Sequence, residues 1–183
     1  MSRDAIAIEA FAAMERHIAE VTVELFDAYG LAVRAAASST ESVAIPLESS
    51  FAAIIGYAGE KVRGALVLVA LRPAIESWLV ALGGIDMEGD VCDTLGEFSN
   101  MLLGRLKGRL LPDGFPILLS TPTTAFGAGF TLARPPGPSR WLKFDGPGWS
   151  FGVRIDAVFD EGFALSPRGD RGAVAEAGDM VLF

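Results

Sequence analysis

The chain has 183 residues, 51% of them apolar, with a formal net charge of −8 and a sequence pI near 4.6. That length suits one domain with a substantial core, and an acidic surface repels nucleic acid and anionic lipid, so neither is expected as a partner. Mean hydropathy is high, at +0.40, but the longest apolar run, Ala65 to Leu71, falls far short of the roughly 20 residues that span a bilayer, and no membrane insertion is expected.

The N-terminus shows no cationic head followed by an apolar block, so no signal peptide is expected. Cys92 is the single cysteine. It excludes an internal disulfide and makes a cytoplasmic location the default.

In chain order, Ala5 to Tyr29 reads as a long helix. Ile6, Ala10, Ala13, Met14, Ile18, Val21, Leu25 and Phe26 recur at helical spacing, and Gly30 is a natural stop. Residues 31–50 read as polar and irregular, with a strand allowed around Ser42–Leu47. Phe51–Ala58 and Val62–Leu71 flank Gly59-Glu60-Lys61 and predict a β-hairpin. Pro73 opens a short helix through Leu82, closed by Gly83-Gly84. Asp90–Leu111 is a second long helix, stopped by Pro112.

Strands are expected at Phe115–Ser120, Phe130–Ala133, Arg140–Asp145 and Trp149–Phe159, with Gly146-Pro147-Gly148 as a tight turn. From about Asp160 the chain becomes rich in glycine and charge and then ends apolar, at Met180 to Phe183. The expected organisation is one domain over 1–160 and a C-terminal extension over 161–183. The expected fold class is α+β: two long helices and a short helix packed on one antiparallel β-sheet.

Chemistry concentrates on the second long helix. The chain holds one asparagine, Asn100, and no glutamine. Asp93, Glu97, Asn100 and Gly104 follow spacings of four, three and four, and so form one stripe. Leu95, Phe98, Leu102 and Leu106 form the opposite stripe. If the apolar stripe faces the core, Glu97 and Asn100 face outward side by side, with Gly104 leaving clearance beside them. A Glu and an Asn three apart on a helix exterior commonly mean no more than a solvated face, and the surrounding pattern is what raises the pair above that.

Gly96-Glu97-Phe98-Ser99-Asn100-Met101-Leu102-Leu103-Gly104 resembles the active helix of the CheC/CheX/FliY family of response-regulator phosphatases. That family carries Asp/Ser-x3-Glu-x2-Asn, which Asp93, Glu97 and Asn100 match residue by residue. The preceding helix, the hairpin with Gly56 and Gly64 about its turn, the short helix, the segment Leu119 to Gly127 with its Pro-Thr, and the final hairpin agree in order, over roughly residues 5–160. With a single Asn a second motif cannot exist, so the chain is similar to the CheX-like branch. The Pro-rich loop at 135–138 and the extension depart from the family pattern.

The resemblance implies a phosphatase acting on the aspartyl phosphate of a CheY-like receiver domain. Asn100 would orient the attacking water and Glu97 would pair with the receiver's active-site lysine. Asp93 would help at the helix start. The protein would carry no cofactor or metal of its own, Mg²⁺ being expected in the partner, and a homodimer joined through the sheet is expected. The other functional class is a non-catalytic module of the same fold that docks on receiver domains or other proteins.

The remaining features read as structural. His17 is the only histidine, which disfavours a zinc site or a Cys–His dyad. Cys92 reads as a small, partly buried apolar residue. Trp78, Trp141 and Trp149 read as core or sheet-face residues, and the basic stretch Arg105, Lys107, Arg109 as a solvated face or favourable charge near a helix C-terminus.

Overall fold

The computed structural model describes residues 3–40, 50–83, 90–114, 116–127 and 136–163. Helix α1 (Arg3–Ala28) leads to strand β1 (Arg34–Ser39), then to the hairpin β2 (Ser50–Ala58) and β3 (Val62–Leu71). Helices α2 (Arg72–Ala81) and α3 (Asp90–Leu110) follow, with a 3-10 turn at Leu111–Asp113. Strands β4 (Leu118–Leu119), β5 (Thr123–Gly127), β6 (Ser139–Gly146) and β7 (Trp149–Phe159) complete the fold.

All described strands join one antiparallel sheet in the order β1-β6-β7-β3-β2, with β4 and β5 both pairing along the free side of β2. The helices pack on one face of this sheet, so the α+β expectation holds.

The helix boundaries follow from local chemistry. α1 ends in a Schellman arrangement: Leu31 N–H donates to Phe26 O (2.9 Å), Gly30 N–H donates to Asp27 O (2.9 Å), and Gly30 takes φ +71°. α2 follows β3 with no loop, and its early Pro73 needs no helical N–H.

Between helices and sheet lies an aromatic centre. Phe26 sits 4.9 Å from Phe98 and 4.7 Å from Phe151, Trp78 lies 5.2 Å from Phe98, and Phe144 stacks on Phe151 at 5.1 Å. These rings are fully buried, and such pairs add about 0.5–1.5 kcal/mol each beyond their area burial. Trp78 is therefore a core residue, as expected.

The opposite face of the sheet carries a smaller apolar cluster of Ala52, Val67, Val69 and Trp141. Beside it Arg154 pairs with Asp156 at 2.9 Å, Ser139 Oγ donates to Asp156 Oδ1, and the Arg154 guanidinium lies over the Trp141 ring. Both charges are almost fully buried. Removing one partner would strand the other charge away from water.

Three strands depart from the sequence reading. Arg34–Ser39 lies in the segment read as irregular, yet it forms edge strand β1 on β6, with a register shift between Ala35 and Ala37. The strand expected over Phe115–Ser120 shortens to Leu118–Leu119, and pairing to β2 resumes at Thr123 as β5. The interruption has a local cause. Gly56 N–H donates to the Ser120 hydroxyl (2.9 Å) rather than to a backbone carbonyl, and Pro122 has no N–H to give. The strands expected at 42–47 and 130–133, and the extension from residue 164 on, lie outside the described residues.

Tyr57 reaches across Gly64 of β3, and its hydroxyl donates to the backbone oxygen of Asp156 on β7. A Cβ on Gly64 would run into both that oxygen and the Tyr57 ring. Gly64→Ala should therefore cost about 3 kcal/mol or more, read as a lower urea midpoint. Burial pushes the Tyr57 phenol well above its ordinary range, and the nearby Asp156 charge adds to this. Above about pH 10 the unfolded chain sheds that proton while the folded chain keeps it, so stability should fall as pH rises through this window. Tyr57→Phe should flatten the fall in urea titrations run across alkaline pH.

Candidate functional site

Helix α3 has two unlike faces. Leu95, Phe98, Leu102 and Leu106 are all at 0% exposure. Asp93, Glu97, Asn100 and Gly104 are all exposed. The amphipathic split read from the sequence is thus the split observed. Among the described residues, Asp93, Glu97 and Asn100 make no side-chain hydrogen bond or ion pair. Within the described fold their polar atoms are open to an incoming molecule.

The rotation of α3 about its axis is set on both flanks. On one side Gly96 is buried, and its Cβ position faces Thr124 Cγ2 at 3.6 Å and Pro122 Cγ at 3.8 Å, so the β4–β5 connection runs alongside the helix. On the other side Tyr29 O–H donates to Met101 Sδ (3.3 Å) and its ring lies 5.7 Å from Phe98.

Successive residues turn by about 100°, so Asn100 projects about 40° from the Gly96 flank and Glu97 about 40° from the Met101 flank. The pair therefore crowns the helix, with the Thr-Pro-Thr-Thr segment of residues 121–124 on the Asn100 side. The order of residues marks that segment as part of the family pattern, and only the structure sets it against α3. A small residue on the helix, Gly96, was the available signal.

Further contacts hold the helix along its length. Arg109 Nη2 donates to Glu24 Oε1 of α1 (2.5 Å), and His17 Nε2 lies 3.1 Å from Asp113 Oδ2, just past the end of α3. His17 thus bridges α1 to the 3-10 turn. Cys92 is half-buried and packs on the core. Ser99, between Phe98 and Asn100, turns inward and its buried hydroxyl has no partner among the described residues. Past Asn100 the helix is open at its glycines: among the described residues no other part of the fold comes within 4 Å of where a Cβ would stand on Gly104 or Gly108.

The sequence profile described as "Chemotaxis phosphatase CheX" matches residues 51–142, half of the chain, including all of α3. The chain belongs to the CheX family.

Solved structures of the family share the fold. The chain is similar to a CheC-like superfamily protein from Shewanella sp. PV-4, with TM-score 0.70 and 18% identity over 80% of this chain and 97% of that one. It is similar to the chemotaxis protein CheX from Vibrio vulnificus, with TM-score 0.67 and 21% identity over 82% of this chain and 99% of that one. It is also similar to CheX of Borrelia burgdorferi, solved as a CheX–CheY–BeF3–Mg²⁺ complex, with TM-score 0.65 and 18% identity over 80% and 96% of the two chains. No curated protein sequence matches the chain. Among the described residues no helix is long and apolar enough to cross a membrane.

The bare helix surface allows a direct test of how α3 is built. Glycine inside a helix costs up to about 1 kcal/mol relative to alanine. Since nothing crowds the site, Gly104→Ala should raise stability by about that amount in denaturant unfolding. Phe98→Ala, beneath the Glu97–Asn100 pair, should cost about 3–5 kcal/mol.

Proposed function

We propose that the protein accelerates hydrolysis of the aspartyl phosphate of a CheY-like response regulator, with α3 as the element that enters the regulator's phosphorylated pocket. The observation that carries this reading is the free, outward Glu97–Asn100 pair on a helix whose other face is fully buried. Membership of a chemotaxis phosphatase family supports it, as does the CheY-bound state of the Borrelia burgdorferi relative.

The chemistry asked of this chain is modest. An acyl phosphate already has a good leaving group, so catalysis rests on placing a water in line with the phosphorus–oxygen bond and compensating charge. Asn100 is suited to the first task because a carboxamide both accepts from and donates to a water. Glu97, one turn earlier, pairs with the regulator's lysine and fixes the depth and angle of docking. Asp93 supports the helix start, where a carboxylate is favoured by the dipole. Gly104 leaves room for the partner's surface. The regulator brings its own Mg²⁺, and the phosphatase contributes no metal or cofactor. Such a protein works in the cytoplasm, where receiver domains are phosphorylated. A homodimer is the assembly we expect.

The deciding measurement is the lifetime of a phosphorylated receiver domain with wild-type protein and with Asn100→Ala. Wild type should shorten the lifetime, and Asn100→Ala should lose on the order of a hundredfold of that gain while keeping its affinity. Glu97→Ala should raise the half-saturation concentration as well as lower turnover. Equal lifetimes with wild type and Asn100→Ala would leave a receiver-binding module without catalysis.

A further inference from the structure

Building on the phosphatase reading above, we propose that Lys107 is a docking cation: it pairs with carboxylates on the phosphorylated receiver that lie outside its phosphate pocket.

The argument starts from charge. This protein carries a net charge of −8, and its exposed pair of carboxylates, Asp93 and Glu97, stands in the stripe that approaches the target. An aspartyl phosphate and the carboxylates around it are themselves anionic. Two like-charged surfaces meet slowly and bind weakly unless local charge of the opposite sign offsets the field. Lys107 is placed to do so. It stands seven residues beyond Asn100, which is about 10 Å along the helix and within about 20° of the same line.

The surroundings of Lys107 favour an intermolecular role. It is exposed and makes no ion pair among the described residues. Two other cations are already engaged: Arg109 with Glu24 at 2.5 Å, and Lys143 with Asp145 at 3.3 Å. Gly104 and Gly108, which adjoin Lys107 on the helix surface, leave it standing on bare backbone. A receiver surface that reaches Asn100 therefore passes over Gly104 and meets the Lys107 ammonium without displacing any side chain.

Lys107 also lies in the last turn of α3, where a cation complements the helix dipole. That effect acts on helix stability and leaves partner affinity alone, so the two roles separate by experiment. Arg105 supplies the internal control. It is exposed and without an ion pair among the described residues, but its position is turned about 140° from Asn100.

The test measures phosphate loss from a CheY receiver domain phosphorylated with acetyl phosphate, over a range of receiver concentrations and at low and high salt. Lys107→Glu should raise the half-saturation concentration about fivefold or more at low salt and leave saturating turnover within about twofold. Lys107→Met, which keeps the stem, should show a smaller rise of the same kind, and Lys107→Arg should restore the wild-type value. Added salt should erase the differences. Arg105→Glu should change half-saturation by less than about twofold.

A half-saturation concentration for Lys107→Glu equal to wild type, or an equal rise for Arg105→Glu, would overturn the inference while the phosphatase reading stands. Wild-type protein that fails to shorten the receiver's phosphorylated lifetime would overturn the phosphatase reading, and this inference with it.

Discussion

One packing constraint governs the rest: α3 can bury Leu95, Phe98, Leu102 and Leu106 together in only one rotation about its axis. Phe98 is the centre of that lock. Its ring is held by Phe26, Trp78 and Tyr29, so a turn of the helix would empty space that three other rings fill. Core packing of this kind tolerates little displacement. The directions of Glu97 and Asn100 are therefore consequences of buried residues they never touch. A group presented from a helix so held needs little ordering when a partner arrives, which suits chemistry that depends on position.

The sheet contributes by holding both flanks of that helix. Strand β2 is the element they share. It pairs with β3 on one side and with β4 and β5 on the other, and the break between β4 and β5 swings Pro122 and Thr124 against Gly96. Tyr57 locks the same strand across Gly64 to β7. A break in a ladder, often a weakness, here becomes a wall beside the exposed stripe. On the sheet's far face the buried Arg154–Asp156 pair is satisfied in part by Ser139, so that face also discourages slippage of β6 against β7.

Legibility in the sequence tracked side-chain signal strength. The β2–β3 hairpin, the β6–β7 hairpin and the three helices were readable because each carries either a periodic apolar face or a turn residue at a required position. Strand β1, Arg-Ala-Ala-Ala-Ser-Ser, was not. Its small side chains carry no alternation and little β preference, and it exists because the backbone of β6 offers a ladder. Strand β5 was hidden differently: its Thr-Pro-Thr lead-in reads as a terminator, and only pairing with Ser50–Ile54 of β2 reveals that the strand resumes.

The candidate site divides along the same line. Four residues on one stripe, and the apolar stripe opposite them, are a property of spacing along a single helix, so the chain's order of residues was enough to orient Glu97 and Asn100 outward. What stands on either side of them, Pro122 and Thr124 at Gly96 and Tyr29 at Met101, came only with the tertiary structure. Those neighbours meet through strand pairing and helix packing between segments distant in sequence, and backbone hydrogen bonds leave no mark on the side chains from which a sequence is read.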